Sequence, residues 1–219
     1  MLINPGSKLL MIGDSITDCG RTFPVGEGSF DGLGSGYVSL VDALIRATYP
    51  AQRLRVVNMG TSGNTVLDLE RRWEQDVLAQ SPDWLSVMIG INDVWRQFDS
   101  PVQPEKHVPL ERYTAVLEEL VQKTHPQLKG LVLFSPYLIE PNRAEPMRAM
   151  MDRYGQAVRE IASRQHAVFV DIQAAFDSVL CDNHPMSLAL DRVHPNLAGH
   201  AVIAHAFLDA IGYEWQPGG

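Results

Sequence analysis

The stretch Lys8-Leu9-Leu10-Met11-Ile12-Gly13-Asp14-Ser15 decides how the rest of the chain is read. Its four consecutive apolar residues show no two-residue alternation, and the run is too short for a helix. It describes a strand buried on both faces, closed by a turn. Runs of the same kind recur at 54–58, 84–89, 131–134 and 167–170, most of them ending at Gly, Asn, Asp or Ser-Pro. Between them apolar residues fall at helical spacing. Tyr37, Leu40, Val41, Leu44 and Ile45 make one stripe, and Val66, Leu69, Trp73 and Val77 another. Further stripes start at Leu110 and Met147, and the last joins Leu197, Ala201, Ala204, Leu208 and Ile211. Strand and helix in alternation predict a parallel sheet covered by helices on both faces. Residues 1–219 are expected to form one α/β domain of three layers.

Composition narrows the function. Lys and Arg number 18 against 26 Asp and Glu, a formal charge of −8. Such a surface repels nucleic acids and anionic membranes unless a local basic patch intervenes. Arg71-Arg72 is a pair and not a stripe, so neither partner is expected. Cys19 and Cys181 stand in no CxxC or zinc-like spacing, and the histidines lack ligand-spaced partners, so no metal or cofactor is expected. The amino end has no signal-peptide pattern, and no apolar run approaches the roughly 20 residues of a spanning helix. These features predict a cytoplasmic protein.

Four small polar clusters close strands or precede a helix: 13–18, 58–65, 90–93 and 191–196. Parallel strands bring their carboxyl ends to one edge, so clusters distant in sequence can converge there. Ser15 offers a hydroxyl, which needs an adjacent base to act as a nucleophile near neutral pH. Asp191 and His194, three apart and followed by Pro195, suit that need, because a carboxylate on one imidazole nitrogen leaves the other free to take a proton. Gly63 can bring its amide close to a ligand, and Asn92 can aim a carboxamide N–H inward. With the Ser15 amide these make an oxyanion hole. Each motif alone has a plainer meaning: Asp-x-x-His caps helices, Gly63-Asn64 is a turn, and Asn92-Asp93 caps a helix. Asp14 and Asp18 invite a phosphate or magnesium reading, but no lysine sits at a suitable later strand end. His200 and His205 read as helix-face residues, and Cys19 as a buried thiol. The glycine-rich segment 20–36 and the segment 99–109, with Pro101, Pro104 and Pro109, are long loops at strand ends, where they are expected to wall the site.

Taken in order, Gly13-Asp14-Ser15, Gly63 within Ser-Gly-Asn-Thr, Gly90-Ile91-Asn92-Asp93 and Asp191-Arg192-Val193-His194-Pro195 resemble the SGNH hydrolases, also called GDSL esterases and lipases. Ile16 stands where the second of those names has leucine. The resemblance implies a flavodoxin-like, five-stranded parallel sheet in an α/β/α sandwich. It implies Ser15 as nucleophile, His194 as base, Asp191 as its orienter, and Ser15, Gly63 and Asn92 as oxyanion donors. Asp14, Trp95 and Arg96 are expected to border the substrate. The stretches GDSITDCGR, SGNTVLDL, IGINDVWRQ and DRVHP, with Leu190 in place of a tryptophan, are similar to the intracellular acetylxylan esterases of that family. That similarity implies an acetylated carbohydrate substrate and a ring-like homo-oligomer, an octamer in the esterases it resembles. Tyr213 and Trp215 either meet another subunit or pack back on their own domain. A lysophospholipase or thioesterase of the same family, and a catalytically silent sugar-binding or assembly protein, are the competing readings. The complete set Ser15, Asn92, Asp191 and His194 argues against silence.

Overall fold

A computed structural model describes residues 1–28 and 30–215. Five strands, β1 (Lys8–Gly13), β2 (Arg55–Gly60), β3 (Trp84–Met88), β4 (Gly130–Phe134) and β5 (Val168–Val170), form one sheet in the order β2-β1-β3-β4-β5. All neighbours are parallel, with Ile12 opposite Met59 on one side and Val87 on the other. This is the flavodoxin-like order, with its reversal at β1/β3. Leu9, Leu10, Met11 and Ile12 are fully buried, which is why the run is apolar at every position.

The helices are α1 (Ser15–Asp18), α2 (Tyr37–Thr48), α3 (Val66–Trp73), α4 (Ile91–Asp99), α5 (Leu110–Thr124), α6 (Pro146–Arg164), α7 (Ile172–Val179) and α8 (Leu197–Ala210). One π turn, Glu74–Leu78, continues α3. Helix α8 packs on α2 and α7, while α5 packs on α3 and α6, and α6 on α4. The sheet is therefore covered on both faces, as right-handed crossovers on either side of β1 require.

Three details depart from the periodicity. Helices α4 and α7 were not marked by any apolar stripe, because their inward faces carry Asn92, Asp93 and Gln173 among the apolar residues. On α8 the buried face is His200, Ile203, Ala204, Phe207 and Leu208, whereas Leu197 is 64% exposed. Tyr213 packs back on its own chain, edge to face with Tyr49 and hydrogen-bonded to Thr48. Trp215 stacks on His205.

No helix among the described residues is long and apolar enough to cross a membrane. The long loop after α1 is fastened to the carboxyl end of β2. Gly26 bridges Asn58, and the buried Arg21 donates to the carbonyls of Gly60, Thr22 and Pro24.

Candidate active site

The turn that carries Ser15 is shaped by close approach. A Cβ on Gly13 would stand 2.4 Å from the Met88 carbonyl, and one on Gly60 would stand 2.1 Å from the Asp18 nitrogen. Only glycine lets α1 fold down over the ends of β1, β2 and β3. Asp14 caps α1 by accepting from the Ile16 amide at 3.0 Å. Ser15 is the first residue of α1 and is half-buried. From the far end of the chain His194 reaches it, with Nε2 2.9 Å from Ser15 Oγ.

The imidazole is oriented locally. Asp191 Oδ2 lies 2.6 Å from His194 Nδ1, while Asp191 Oδ1 accepts from the amides of Val193 at 3.0 Å and His194 at 2.8 Å. A carboxylate at Nδ1 keeps the proton there and leaves Nε2 to accept from the hydroxyl. Partial burial pushes the Asp191 carboxyl up, but the His194 ring and the two amides outweigh it and hold it below the usual range. Tertiary anchors reach the loop as well: Tyr137 donates to the Val193 carbonyl, the Ile139 amide to the Arg192 carbonyl, and Arg192 pairs with Glu140 at 2.9 Å.

The other two expected donors converge on the same edge. Gly63 has φ +81° in a turn where a Cβ would meet nothing, so its glycine is required by backbone conformation and not by crowding. Asp18 fastens this turn from below, accepting from the Ser62 amide and hydroxyl at 3.1 and 2.7 Å. Asn92 is buried in the first turn of α4, and its Nδ2 donates to the Asn64 carbonyl at 3.0 Å, with a second N–H remaining. Arg96 donates to Asn92 Oδ1, which settles which way the carboxamide faces. Trp95 stands edge-on to His194, ring centroids 5.8 Å apart.

Asp14 is a correction. Expected to border substrate, it is 1% exposed and spends its carboxylate on the α1 cap. Burial pushes it up to about 7, against the pull of the Ile16 amide, His194 and Arg72. Asp93 is also fully buried. Its Oδ1 accepts from the Val66 amide at 3.0 Å, and its Oδ2 has no partner among the described residues. Burial pushes it up to about 8, with Asp14 and Asp68 adding repulsion. His200 lies on the buried face of α8. It accepts from the Tyr37 amide through Nδ1 and touches Cys19 Sγ through Nε2 at 3.4 Å, and burial holds it down at about 4. The sequence assigns no site role to Asn64, Arg72 or Asp93, and offers Asp18 only as a phosphate or magnesium ligand. Arg72 read as half of a surface cation pair, and Asp93 as the tail of a cap.

A groove of 770 Å³ between α5 and α6 and a cleft of 320 Å³ over Arg148 both lack a nucleophile beside a base.

A family model described as GDSL-like Lipase/Acylhydrolase family matches residues 11–202. A protein named acetylxylan esterase from Geobacillus stearothermophilus is 58% identical over 215 residues, 98% of each chain. Among solved structures, a serine-to-alanine catalytic mutant of the acetylxylan esterase Axe2 from that organism superposes with a TM-score of 0.99 at 56% identity, covering 100% of both chains. LAE5, described as an alpha/beta hydrolase enzyme from the metagenome of Lake Arreo, superposes with a TM-score of 0.96 at 55% identity, covering 97% of this chain and 98% of its own. The chain belongs to the GDSL-like lipase/acylhydrolase family, and its fold is the SGNH hydrolase fold.

Proposed function

We propose, from that membership, that the chain is a serine esterase removing short acyl groups, acetyl foremost, from carbohydrates such as xylo-oligosaccharides, with residues 1–219 acting as one domain. The observation that carries the mechanism is the unbroken relay from Ser15 Oγ through His194 to Asp191, at 2.9 and 2.6 Å. The substrate class rests on the 58% identity to a protein named acetylxylan esterase.

The hydroxyl proton of Ser15 passes to His194 Nε2 as Oγ bonds to the ester carbonyl carbon. The carbonyl electron pair moves onto oxygen, where the amides of Ser15 and Gly63 and the free N–H of Asn92 receive the charge. Asp191 stabilises the imidazolium without taking its proton. Collapse expels the sugar alkoxide, which takes the proton from His194, and leaves Ser15 acetylated. Water repeats the sequence with the same base, releasing acetate and restoring the hydroxyl. Trp95 and Arg96 border the sugar, with the indole edge already beside His194.

The working form is a homo-oligomer. Leu190 is 84% exposed and Met186 63%, both close in sequence to the catalytic histidine, and a second copy would cover them. Light scattering at the single-chain mass of 24.3 kDa refutes this part.

The activity is tested by kcat/KM on p-nitrophenyl acetate, butyrate and octanoate, followed by acetate release from acetylated xylobiose. Each buried methylene is worth about 0.8 kcal/mol, so an open apolar groove would favour octanoate by roughly three orders of magnitude. A steep fall from acetate, with acetate released from the sugar, supports the assignment. A rise with chain length replaces it with a lysophospholipase or thioesterase, and no turnover of any ester leaves a silent binding scaffold.

A further inference from the structure

Arg71 and Arg72 are adjacent on α3, yet their side chains part: Arg71 is 73% exposed and Arg72 16%. Successive helical positions point about 100° apart, which carries one cation to solvent and the other under the site. There the Arg72 guanidinium spends its donors on four acceptors from separate pieces of chain. Nη2 donates to the Gly13 carbonyl at 2.9 Å, and Nη1 to the Met59 carbonyl at 2.7 Å and to Asp76 at 2.7 Å. Nε donates to Asn64 Oδ1 at 2.7 Å. A planar fork with five N–H groups matches such a spread, and an ammonium does not.

Each of these acceptors except Asp76 abuts the proposed oxyanion hole. Gly13 is the strand residue two before Ser15. Met59 is the penultimate residue of β2, four before Gly63 in the turn that follows. Asn64 follows Gly63, and its carbonyl is the acceptor for Asn92 Nδ2. One side chain therefore grips the supports of all three proposed oxyanion donors and donates no hydrogen bond to Ser15 or His194. Asp76, four residues along the same helical run, fixes the guanidinium from the other side.

We propose that Arg72 is a positioning residue that holds the Ser15, Gly63 and Asn92 donors in register with one another. The proposal rests on the oxyanion assignment above and gives it a mechanical origin. Donors on three different connections drift independently unless something rigid spans them, and a charge-assisted, multidentate clamp supplies that rigidity. Errors of this kind fall on the transition state and not on ground-state binding, because the oxyanion exists only there.

The test compares the native chain with Arg72→Ala, Arg72→Lys, Asn64→Ala and Ser15→Ala on p-nitrophenyl acetate, each confirmed folded by circular dichroism. Misplacement by about 1 Å can cost about a hundredfold, so Arg72→Ala is expected to lose about that in kcat with KM within about twofold. Arg72→Lys should fall between. Free guanidinium, at concentrations far below those that unfold the chain, should restore part of the Arg72→Ala activity and none of the Ser15→Ala activity. Native kcat in folded Arg72→Ala, a rise in KM alone, or absence of guanidinium rescue overturns the proposal. If Arg72→Ala does not fold, Asn64→Ala decides. It cuts the clamp from the oxyanion turn while sparing Gly13, Met59 and Asp76, and an unchanged kcat overturns the proposal. Activity surviving in Ser15→Ala would instead overturn the serine mechanism itself, which keeps the two failures distinct.

Discussion

Ser15, Gly63 and Asn92 stand on sheet-end turns whose supports, Asp14, Asp18, Asn58 and Asp93, are all buried, whereas His194 and Asp191 occupy a loop with side chains 46% and 43% exposed. The first group is held by long-range contacts. Asn58 donates to the carbonyls of Thr17 and Leu33, Asp18 holds Ser62, and Asp93 holds Val66. The second is organised by a four-residue segment in which one carboxylate binds two amides and a ring. In the proposed mechanism the half that receives the developing charge rests on buried supports that hold its dipoles fixed, although Gly63 itself is exposed. The half proposed to move a proton stands nearer the surface; its ring is set by the adjacent carboxylate, and Tyr137, Ile139 and Glu140 tie the loop to the rest of the fold.

The sharpest way to break this comparison is to remove one member from each half. Ser15→Ala and His194→Ala are each expected to lower kcat by about three to six orders of magnitude with the fold intact. The double variant should be no slower than the slower single, because nucleophile and base act as a unit. A double loss approaching the product of the two would show that the halves work independently.

A smaller loss isolates the buried half. Asn92→Ala should cost about 2.7–4 kcal/mol of transition-state stabilisation, seen in kcat with KM little changed. If KM alone rises, the carboxamide binds substrate in its ground state and is no oxyanion donor.

An effect of another kind, on stability against pH, separates the halves by sign. Asp93 is raised to about 8 and Asp14 to about 7 when folded, far above an unfolded carboxylate, so the folded chain binds more protons. Their contribution is complete below the unfolded value and is lost as pH rises through the folded ones, at up to about 1.4 kcal/mol per pH unit per group. Asp93→Asn keeps an acceptor for the Val66 amide and carries no charge, so its stability in urea should fall less between pH 5 and 9 than that of the native chain. Asp191 is shifted the other way, and its contribution is lost only as pH falls through its depressed value. Asp191→Asn should therefore leave the slope between pH 5 and 9 unchanged while it cripples activity. Equal slopes for Asp93→Asn and the native chain would mean that Asp93 is ionised at its buried position.

Much of this molecule is legible in the sequence alone. The strands were plain because central parallel strands are buried on both faces, so the run from Leu9 to Ile12 has no polar position to blur it. The pair Asp191 and His194 was plain because its geometry is local: a carboxylate three residues before a histidine can bind the intervening amides and the ring with no help from elsewhere. Helix α4 was hidden because its inward face carries Asn92 and Asp93, residues that break an apolar stripe when a helix turns toward a polar centre. Helix α8 offered apolar residues on both sides, so spacing alone chose a stripe containing the exposed Leu197 and passed over His200 and Ile203.

What the chain determines by itself is whatever neighbours along it can settle: strand against helix, and the pairing of Asp191 with the proton-holding side of His194. The tertiary structure decided the order β2-β1-β3-β4-β5, the meeting of Ser15 with a histidine 179 residues away, and the inward turn of a half-buried Arg72 beside a solvent-facing Arg71. Those outcomes depend on which surfaces the sheet buries and which carbonyls its strand ends leave unpaired. Neither is a property of any one segment, because a side chain's partners across the fold exist only once the layers have closed.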